Sequence, residues 1–286
     1  MVGSFDYLRP QSLAEALEFL HKQPETCRVL AGGTDLLVLI RRSVASPAHL
    51  LDIKALPETG RFEYTLGEGL LIGAAVTVNR LAESPLVREK YPALADAAGA
   101  LATYQVRNRA TLVGNICNAS PGSDLAPALL VFEARVRVKS LNGSREIPID
   151  EFFTGVKKTV LKPDELVTEV FLPDPGEGDK SVYLKQGRVK GHDLAVAGVA
   201  VRLTGSKKLC LAVSALAPAP LRLRHLEEML NAVGFDAVTA EKAALEVEHF
   251  IRPISDIRAS AEYRKHIAAA LLKRAIRHCE GGGKSA

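Results

Sequence analysis

Apolar positions recur along this chain in two rhythms, and each change of rhythm marks an element. Ser12 stands where a helix N-cap belongs, with Glu15 three residues on to complete a capping box over Ala14–Leu20. Leu13, Leu17 and Leu20 give that helix one apolar face. Arg28–Ala31 reads as a strand, Gly32-Gly33 as a turn, and Thr34-Asp35 leads into the apolar run Leu36–Ile40. His49–Ile53 supplies another strand before Pro57.

A second unit begins near Arg61. Tyr64–Leu66 and Leu70–Ala74 read as strands, and a helical stretch from about Val78 to Ala102 is broken at Ser84-Pro85 and Tyr91-Pro92, with Pro85 suited to a helix start. In Glu133–Ser140 the apolar Val136 and Val138 alternate with Arg135, Arg137 and Lys139, the mark of a strand with one wet face. Asn142-Gly143 signals a hairpin that returns through Ser144–Ile149, and Glu165–Leu172 is a further strand. The run Pro173–Lys180, rich in Pro, Gly and charge, is the best linker.

Beyond it, Tyr183–Arg188, Ala195–Leu203 and Lys208–Leu216 predict three strands of a small antiparallel meander. Helices follow around Leu223–Val233, Val238–His249 and Ser260–His278, the last stopped by Gly281-Gly282-Gly283, and GGGKSA reads as a disordered tail. Strands followed by segregated helices predict the α+β class.

Length and composition narrow the function. At 286 residues the chain has room for two domains, and 47% apolar with 24% charged residues is ordinary for a globular protein. A net charge of +4, without like-charge runs or aromatic-basic interleaving, argues against a nucleic-acid partner. The first twelve residues carry no secretory pattern, and no apolar run reaches the roughly 18–20 residues of a membrane span, so a cytoplasmic location is expected. Cys27, Cys117, Cys210 and Cys279 are scattered and the seven histidines lack ligand spacing, so no metal is expected on this chain. Gly67, Gly69 and Gly73 do not have GxGxxG spacing and precede a strand, which argues against a Rossmann unit. No GxSxG elbow or Walker motif is present, so neither hydrolysis nor phosphoryl transfer is indicated.

Two stretches of small residues carry the candidate chemistry. In Arg28–Leu37, successive backbone N–H groups and the Thr34 hydroxyl could cradle a phosphate, or the glycines could serve only a strand-to-helix turn. No Lys or Arg lies between Val29 and Ile40, so counter-charge would come from backbone dipoles or from elsewhere. In Thr111–Leu130, a glycine-asparagine turn leads through small residues to Asp124, which could either bind cofactor hydroxyls or cap the following helix. We expect the two stretches to meet around one phosphate-bearing cofactor. Lys185 and Asp193 read, on residue type alone, as an exposed ion pair, and Arg107-Asn108 as a loop anchor or plain surface.

Five segments in order resemble the FAD-binding medium subunit of the molybdenum hydroxylases, the xanthine dehydrogenase and aerobic carbon monoxide dehydrogenase type. They are AGGTDLL at Ala31–Leu37, QVRNRATLVGN at Gln105–Asn115, NASPGSDLAPALL at Asn118–Leu130, KQGRVKGHDLAVAGVA at Lys185–Ala200 and SDIRASAEYR at Ser255–Arg264. The resemblance implies an FAD-binding domain of the vanillyl-alcohol-oxidase (PCMH) type over residues 1–175, in subdomains of about 1–57 and 58–175. It implies a flavoprotein C-terminal domain over 176–286, with a three-stranded antiparallel sheet and helices. It further implies FAD held by Leu30, Ala31, Gly32, Gly33, Thr34, Asp35, Leu36, Thr111, Gly114, Asn115, Ser123, Asp124 and Lys185. Of these, Asp124 would face the ribityl chain and Lys185 the isoalloxazine.

The family usually has two glycines before Asn115, and here the first is Val113, whose Cβ is expected where backbone could approach the cofactor. Replacing Val113 with Gly is therefore expected to leave FAD bound as well or better. The chain lacks the cysteine-bearing insert of some relatives, and NASP at Asn118–Pro121 is nearer to the xanthine and N-heterocycle branch. The implied function is electron transfer in an (αβγ)2 assembly. Electrons would pass from [2Fe–2S] clusters on a small subunit to FAD and on to an external acceptor, while a large subunit carries the molybdenum cofactor. No catalytic residue is then expected on this chain. The alternatives are a self-sufficient flavoenzyme of the same fold and a scaffold that has lost FAD.

Overall fold

The computed structural model describes residues 4–189, 193–236 and 238–281. The predicted tail beyond Gly281 lies outside them, as do residues 190–192 of the fourth resemblance segment.

The first unit is a three-stranded parallel sheet. Strand β1 (Asp6–Leu8) is followed by helix α1 (Leu13–Lys22), β2 (Cys27–Leu30), α2 (Leu36–Arg41) and β3 (His49–Asp52), with β3 central in the order β1-β3-β2. Ser12 caps α1 through the Glu15 N–H at 3.2 Å, but the Glu15 carboxylate returns to the N–H of Gln11 at 2.6 Å instead of the cap residue's own. Because Leu30 pairs with Asp52, the Gly-Gly turn leaves the sheet at its carboxyl edge, where parallel sheets place their ligands.

The second unit is a five-stranded antiparallel sheet, β4-β5-β10-β6-β7, built from β4 (Phe62–Thr65), β5 (Gly69–Gly73), β6 (Arg135–Ser140), β7 (Gly143–Pro148) and β10 (Leu166–Pro173). Between β5 and β6 the chain forms α3 (Val78–Glu83), α4 (Pro85–Lys90), α5 (Pro92–Ala100), α6 (Tyr104–Arg107), α7 (Leu112–Cys117) and α8 (Leu125–Val131). The breaks fall at Ser84-Pro85 and Tyr91-Pro92, each proline taking a first helical position where its missing N–H costs nothing. α9 (Ile149–Phe152) and the small hairpin β8 (Phe153–Gly155) with β9 (Lys158–Thr159) join β7 to β10. The hairpin turn between β6 and β7 is Leu141-Asn142, with Gly143 already paired to Ser140.

The third unit has four strands, not three. β11 (Lys180–Gln186), β12 (Ala197–Leu203) and β13 (Leu209–Ser214) form the expected meander, and the two-residue β14 (Leu221–Arg222) adds an edge. Helices α10 (Arg224–Ala232), α11 (Thr239–Glu246) and α12 (Ala261–Glu280) follow, and Gly281 ends α12 in the left-handed conformation.

This sheet is buried on both faces, which is why its strands read as continuous apolar runs. One face sends Tyr183, Ala200, Cys210 and Ala212 into the core of the first two units. The other sends Val182, Val199, Val201, Leu211 and Val213 against α10–α12. Arg222, its side chain buried, ties the two cores together by donating to the Leu130 carbonyl at 3.2 Å and to Glu133 at 2.8 Å while pairing with Glu227.

Candidate functional site

The Gly32-Gly33 turn and the segment before Thr111 meet directly. A Cβ built on Gly32 would overlap the Arg109 carbonyl oxygen and stand 3.0 Å from the Ala110 Cα. Only glycine at 32 lets the two loops close on each other. Gly33 has φ +75°, and a Cβ there would stand 3.0 Å from the Leu30 side chain and 3.1 Å from that of Leu37. Leu30 is thus the buried floor of the turn.

The turn's hydrogen bonding begins only at Leu37, whose N–H donates to the Gly33 carbonyl at 3.0 Å. The N–H groups of Gly32, Gly33, Thr34, Asp35 and Leu36 meet no protein acceptor among the described residues. Asp35 precedes α2 without capping it. Five successive partnerless amides at the carboxyl edge of a parallel sheet are free donors of the kind that bind phosphate groups.

Thr111 is buried, and its hydroxyl caps α7 by accepting from the Gly114 N–H at 3.0 Å. Gly114-Asn115 therefore lies within a helix, not in the expected turn. A Cβ at Gly114 would press on that hydroxyl at 2.9 Å. Val113 points the other way: it is buried in the main core, so its Cβ does not stand where backbone would approach a cofactor. The helix periodicity carries it inward while Gly114 and Asn115 stay half-buried.

Asn115 links this helix to the next loop, since Ser123 Oγ donates to its Oδ1 at 2.5 Å and accepts from the Ala126 N–H at 3.3 Å. Ser123, not Asp124, caps α8. Asp124 makes no cap bond; its Oδ1 accepts from the Tyr183 hydroxyl at 2.8 Å and its Oδ2 from Lys185 Nζ at 2.9 Å. All three groups are buried or nearly so. Burial pushes the Asp124 carboxyl above its ordinary range, and Lys185 first, then Tyr183, pull it back. The Tyr183 hydroxyl is pushed well above its own, by burial and by the carboxylate, and so remains a donor.

Lys185 Nζ also donates to the Ala100 carbonyl at 3.0 Å, while Arg107 donates to the carbonyls of Gly99, Leu101 and Ala102. Two cations thus cover the carboxyl end of α5, and Arg107 is a loop anchor. Asp193 does not pair with Lys185. It binds Arg188, which with two backbone N–H groups holds its carboxyl down at about 2.

The candidate residues therefore form one continuous chain of contacts: the Gly32 turn on Arg109-Ala110, Thr111 on Gly114, Asn115 on Ser123, and Asp124 on Lys185. Sequence reading missed three of its members. The Arg109 backbone carries no side-chain signal. Tyr183 lies two residues before Lys185 and so on the same strand face, a period that could have found it. Gly198 pairs with Lys185 across the ladder and leaves room for Tyr183; a Cβ there would lie 2.5 Å from the Tyr183 hydroxyl and overlap Ser214 Oγ.

The chain is similar to known proteins over nearly its whole length. Residues 3–175 match the model of the FAD binding domain in molybdopterin dehydrogenase, and residues 182–279 that of the CO dehydrogenase flavoprotein C-terminal domain. The chain is 34% identical over 276 residues to the carbon monoxide dehydrogenase medium chain of Hydrogenophaga pseudoflava, covering 95% of this chain and 96% of that one. It is equally 34% identical to the xanthine dehydrogenase FAD-binding subunit of Escherichia coli O157:H7, with 97% of each covered. The structure superposes with a TM-score of 0.93 on carbon monoxide dehydrogenase from Hydrogenophaga pseudoflava, at 32% identity, covering 99% of this chain and 100% of that one. The corresponding score for quinoline 2-oxidoreductase from Pseudomonas putida 86 is 0.89 at 27% identity, with 99% of each chain covered. Identity to the carbon monoxide and the xanthine relative is equal, so overall identity assigns the chain to neither branch.

Proposed function

The chain belongs to the FAD-binding subunits of the molybdopterin dehydrogenases, and from that premise we propose that it is the electron-transfer subunit of a molybdenum hydroxylase. It is an oxidoreductase flavoprotein with FAD as its cofactor. In our reading it has partners, an iron–sulfur small subunit that delivers electrons and a molybdenum-bearing large subunit that hydroxylates substrate, paired as (αβγ)2. Support comes from the relatives' names, which describe a medium chain and a subunit. The fold is read as the vanillyl-alcohol-oxidase type over 1–175 followed by the flavoprotein C-terminal domain over 176–286.

The observation that carries the cofactor's placement is the run of partnerless amides from Gly32 to Leu36. Their N–H dipoles offset diphosphate charge without a lysine or arginine in the turn. Leu30 and Ala31 floor this cradle, and Thr111, Gly114 and Asn115 close its second side. Each Asp124 oxygen has one protein donor and retains a lone pair for a ribityl hydroxyl, with Ser123 beside it.

Bound FAD supplies the redox chemistry; the protein sets its position and electronics. Lys185 lies toward the isoalloxazine as half of an ion pair. It therefore presents a dipole that favours negative charge on the ring, held in place by Ala100 and Asp124. Tyr183 keeps its proton and fixes the carboxylate from the other side.

The test is FAD content of the purified full-length chain and of Gly33→Val and Asp124→Ala. The parent should be yellow and release FAD on denaturation, and both variants should lose most of it while folded. Stoichiometric FAD in both variants would refute this placement. Co-purification of a molybdenum-bearing large chain and an iron–sulfur small chain checks the assembly.

A further inference from the structure

The segment Ser255–Arg264 takes no direct part in the site, yet its last residue reaches beneath it. Arg264, the fourth residue of α12, is 2% exposed. Its Nη1 donates to the Val196 carbonyl at 2.7 Å and to the Ala215 carbonyl at 3.2 Å, and its Nη2 to Asp256 at 2.8 Å. Its Nε is buried without a partner. Nη1 bridges the two carbonyls while Nη2 is held on Asp256, so one planar guanidinium fixes the spacing of two strand ends.

Those two ends are the seat of the Pro121–Asp124 loop. The Ala215 N–H, on a residue with φ +62°, donates to the Pro121 carbonyl at 2.6 Å. A Cβ on Gly122 would stand 3.8 Å from the Ala195 carbonyl oxygen and 4.0 Å from the Ala215 Cβ, so the loop rests on both segments. The Val196 N–H donates to the Gln186 carbonyl at 2.8 Å, next to Lys185. Arg264 thus holds the support of Asp124 and the support of Lys185 in a single grip.

We propose that Arg264 is a positioning residue for the flavin: it sets the Asp124–Lys185 pair in register with the cofactor from the C-terminal helix. This rests on the placement of FAD given above. A lysine at 264 keeps the charge but ends one bond short of Nη1 and has a single nitrogen, so it cannot hold both carbonyls and Asp256 together, and the loop and β12 lose their common anchor.

The experiment compares full-length wild type with Arg264→Lys, Asp256→Asn and Lys185→Met. Three quantities are read: the FAD dissociation constant by fluorescence titration, the visible spectrum and midpoint potential of the bound flavin, and Tm. Arg264→Lys should raise the dissociation constant about tenfold, the lower end of what losing such an outer support costs. It should also move the spectrum and potential in the same direction as Lys185→Met. Asp256→Asn leaves both carbonyl bonds in place and should lower Tm alone. Wild-type affinity, spectrum and potential in Arg264→Lys would overturn the proposal, leaving Arg264 a brace of the fold. If Lys185→Met is unchanged as well, the cofactor placement itself fails. Should Arg264→Lys not fold, Gly122→Val disturbs the same seat from the loop side with Arg264 intact; it must weaken FAD binding and shift the spectrum, and wild-type values there would equally overturn the proposal.

Discussion

The Arg109 carbonyl oxygen occupies the space into which a side chain at Gly32 would grow. That contact demands glycine at position 32, and it sets the distance between the two halves of the proposed diphosphate cradle. Backbone cannot give way as a flexible side chain can, so Gly32→Ala must part the loops. We expect a cost of about 1–3 kcal/mol, typical of overpacking, and loss of FAD out of proportion to it. FAD per chain after desalting, set beside Tm, checks this; full FAD retention would mean that the loops move freely.

The core position of Val113 changes the outcome expected from its sequence position. Its side chain is in the core, so Val113→Gly removes a buried valine, about 2 kcal/mol, and adds about 1 kcal/mol of glycine cost within a helix. Urea unfolding should show about 3 kcal/mol of destabilisation, with FAD lost through instability. Gly114→Val instead strikes the Thr111 cap and should weaken FAD binding at smaller cost to the fold. Full FAD retention in folded Gly114→Val would count against this loop.

Much of this architecture was readable from local signals. Ser12, Pro85, Pro92 and Gly281 mark helix ends because caps and prolines act within one turn. The two-residue β14 had no such signal, because its pairing with β13 is its only definition. Both AGGTD and SPGSD stood out by composition, but the role of Asp124 did not. A cap is a local fact, whereas its real partners, Tyr183 and Lys185, lie 59 and 61 residues away. Asp193 was the nearer acid to Lys185 in sequence and the wrong one, because the strand ends between them and Arg188 takes it. Arg264 could not be given a role at all, since its carbonyl partners are backbone atoms of remote strands.

Breaking the Lys185–Asp124 pair should leave a pH signature. Burial already raises the Asp124 carboxyl, and Lys185 is the largest opposing influence. In Lys185→Met that opposition is gone and the folded-state value climbs further. A carboxyl raised above its unfolded value of about 3.9 stabilises fully below that pH and loses its contribution as pH rises through the folded value. Lys185→Met should therefore be nearer to wild type at about pH 5 than at about pH 8, where an unpaired buried carboxylate costs about 3–5 kcal/mol. Adding Asp124→Asn should remove most of the pH dependence. Melting curves across that range decide it; a deficit independent of pH would show that Asp124 is not the titrating group.

Gly198 offers the most selective test of the Tyr183 contact. It faces Lys185 in β11 and Ser214 in β13, and its bare Cα is what lets the Tyr183 hydroxyl pass toward Asp124. Gly198→Ala would place a methyl group 2.5 Å from that hydroxyl and force it off the carboxylate. Tyr183→Phe removes the same hydrogen bond without adding bulk, leaving Asp124 one donor short at about 1–3 kcal/mol. If the contact alone matters, both variants should shift the flavin spectrum alike, and Gly198→Ala should lose more stability because β12 must also bend. A normal spectrum in Tyr183→Phe with an altered one in Gly198→Ala would assign the effect to strand geometry and release Tyr183 from the site.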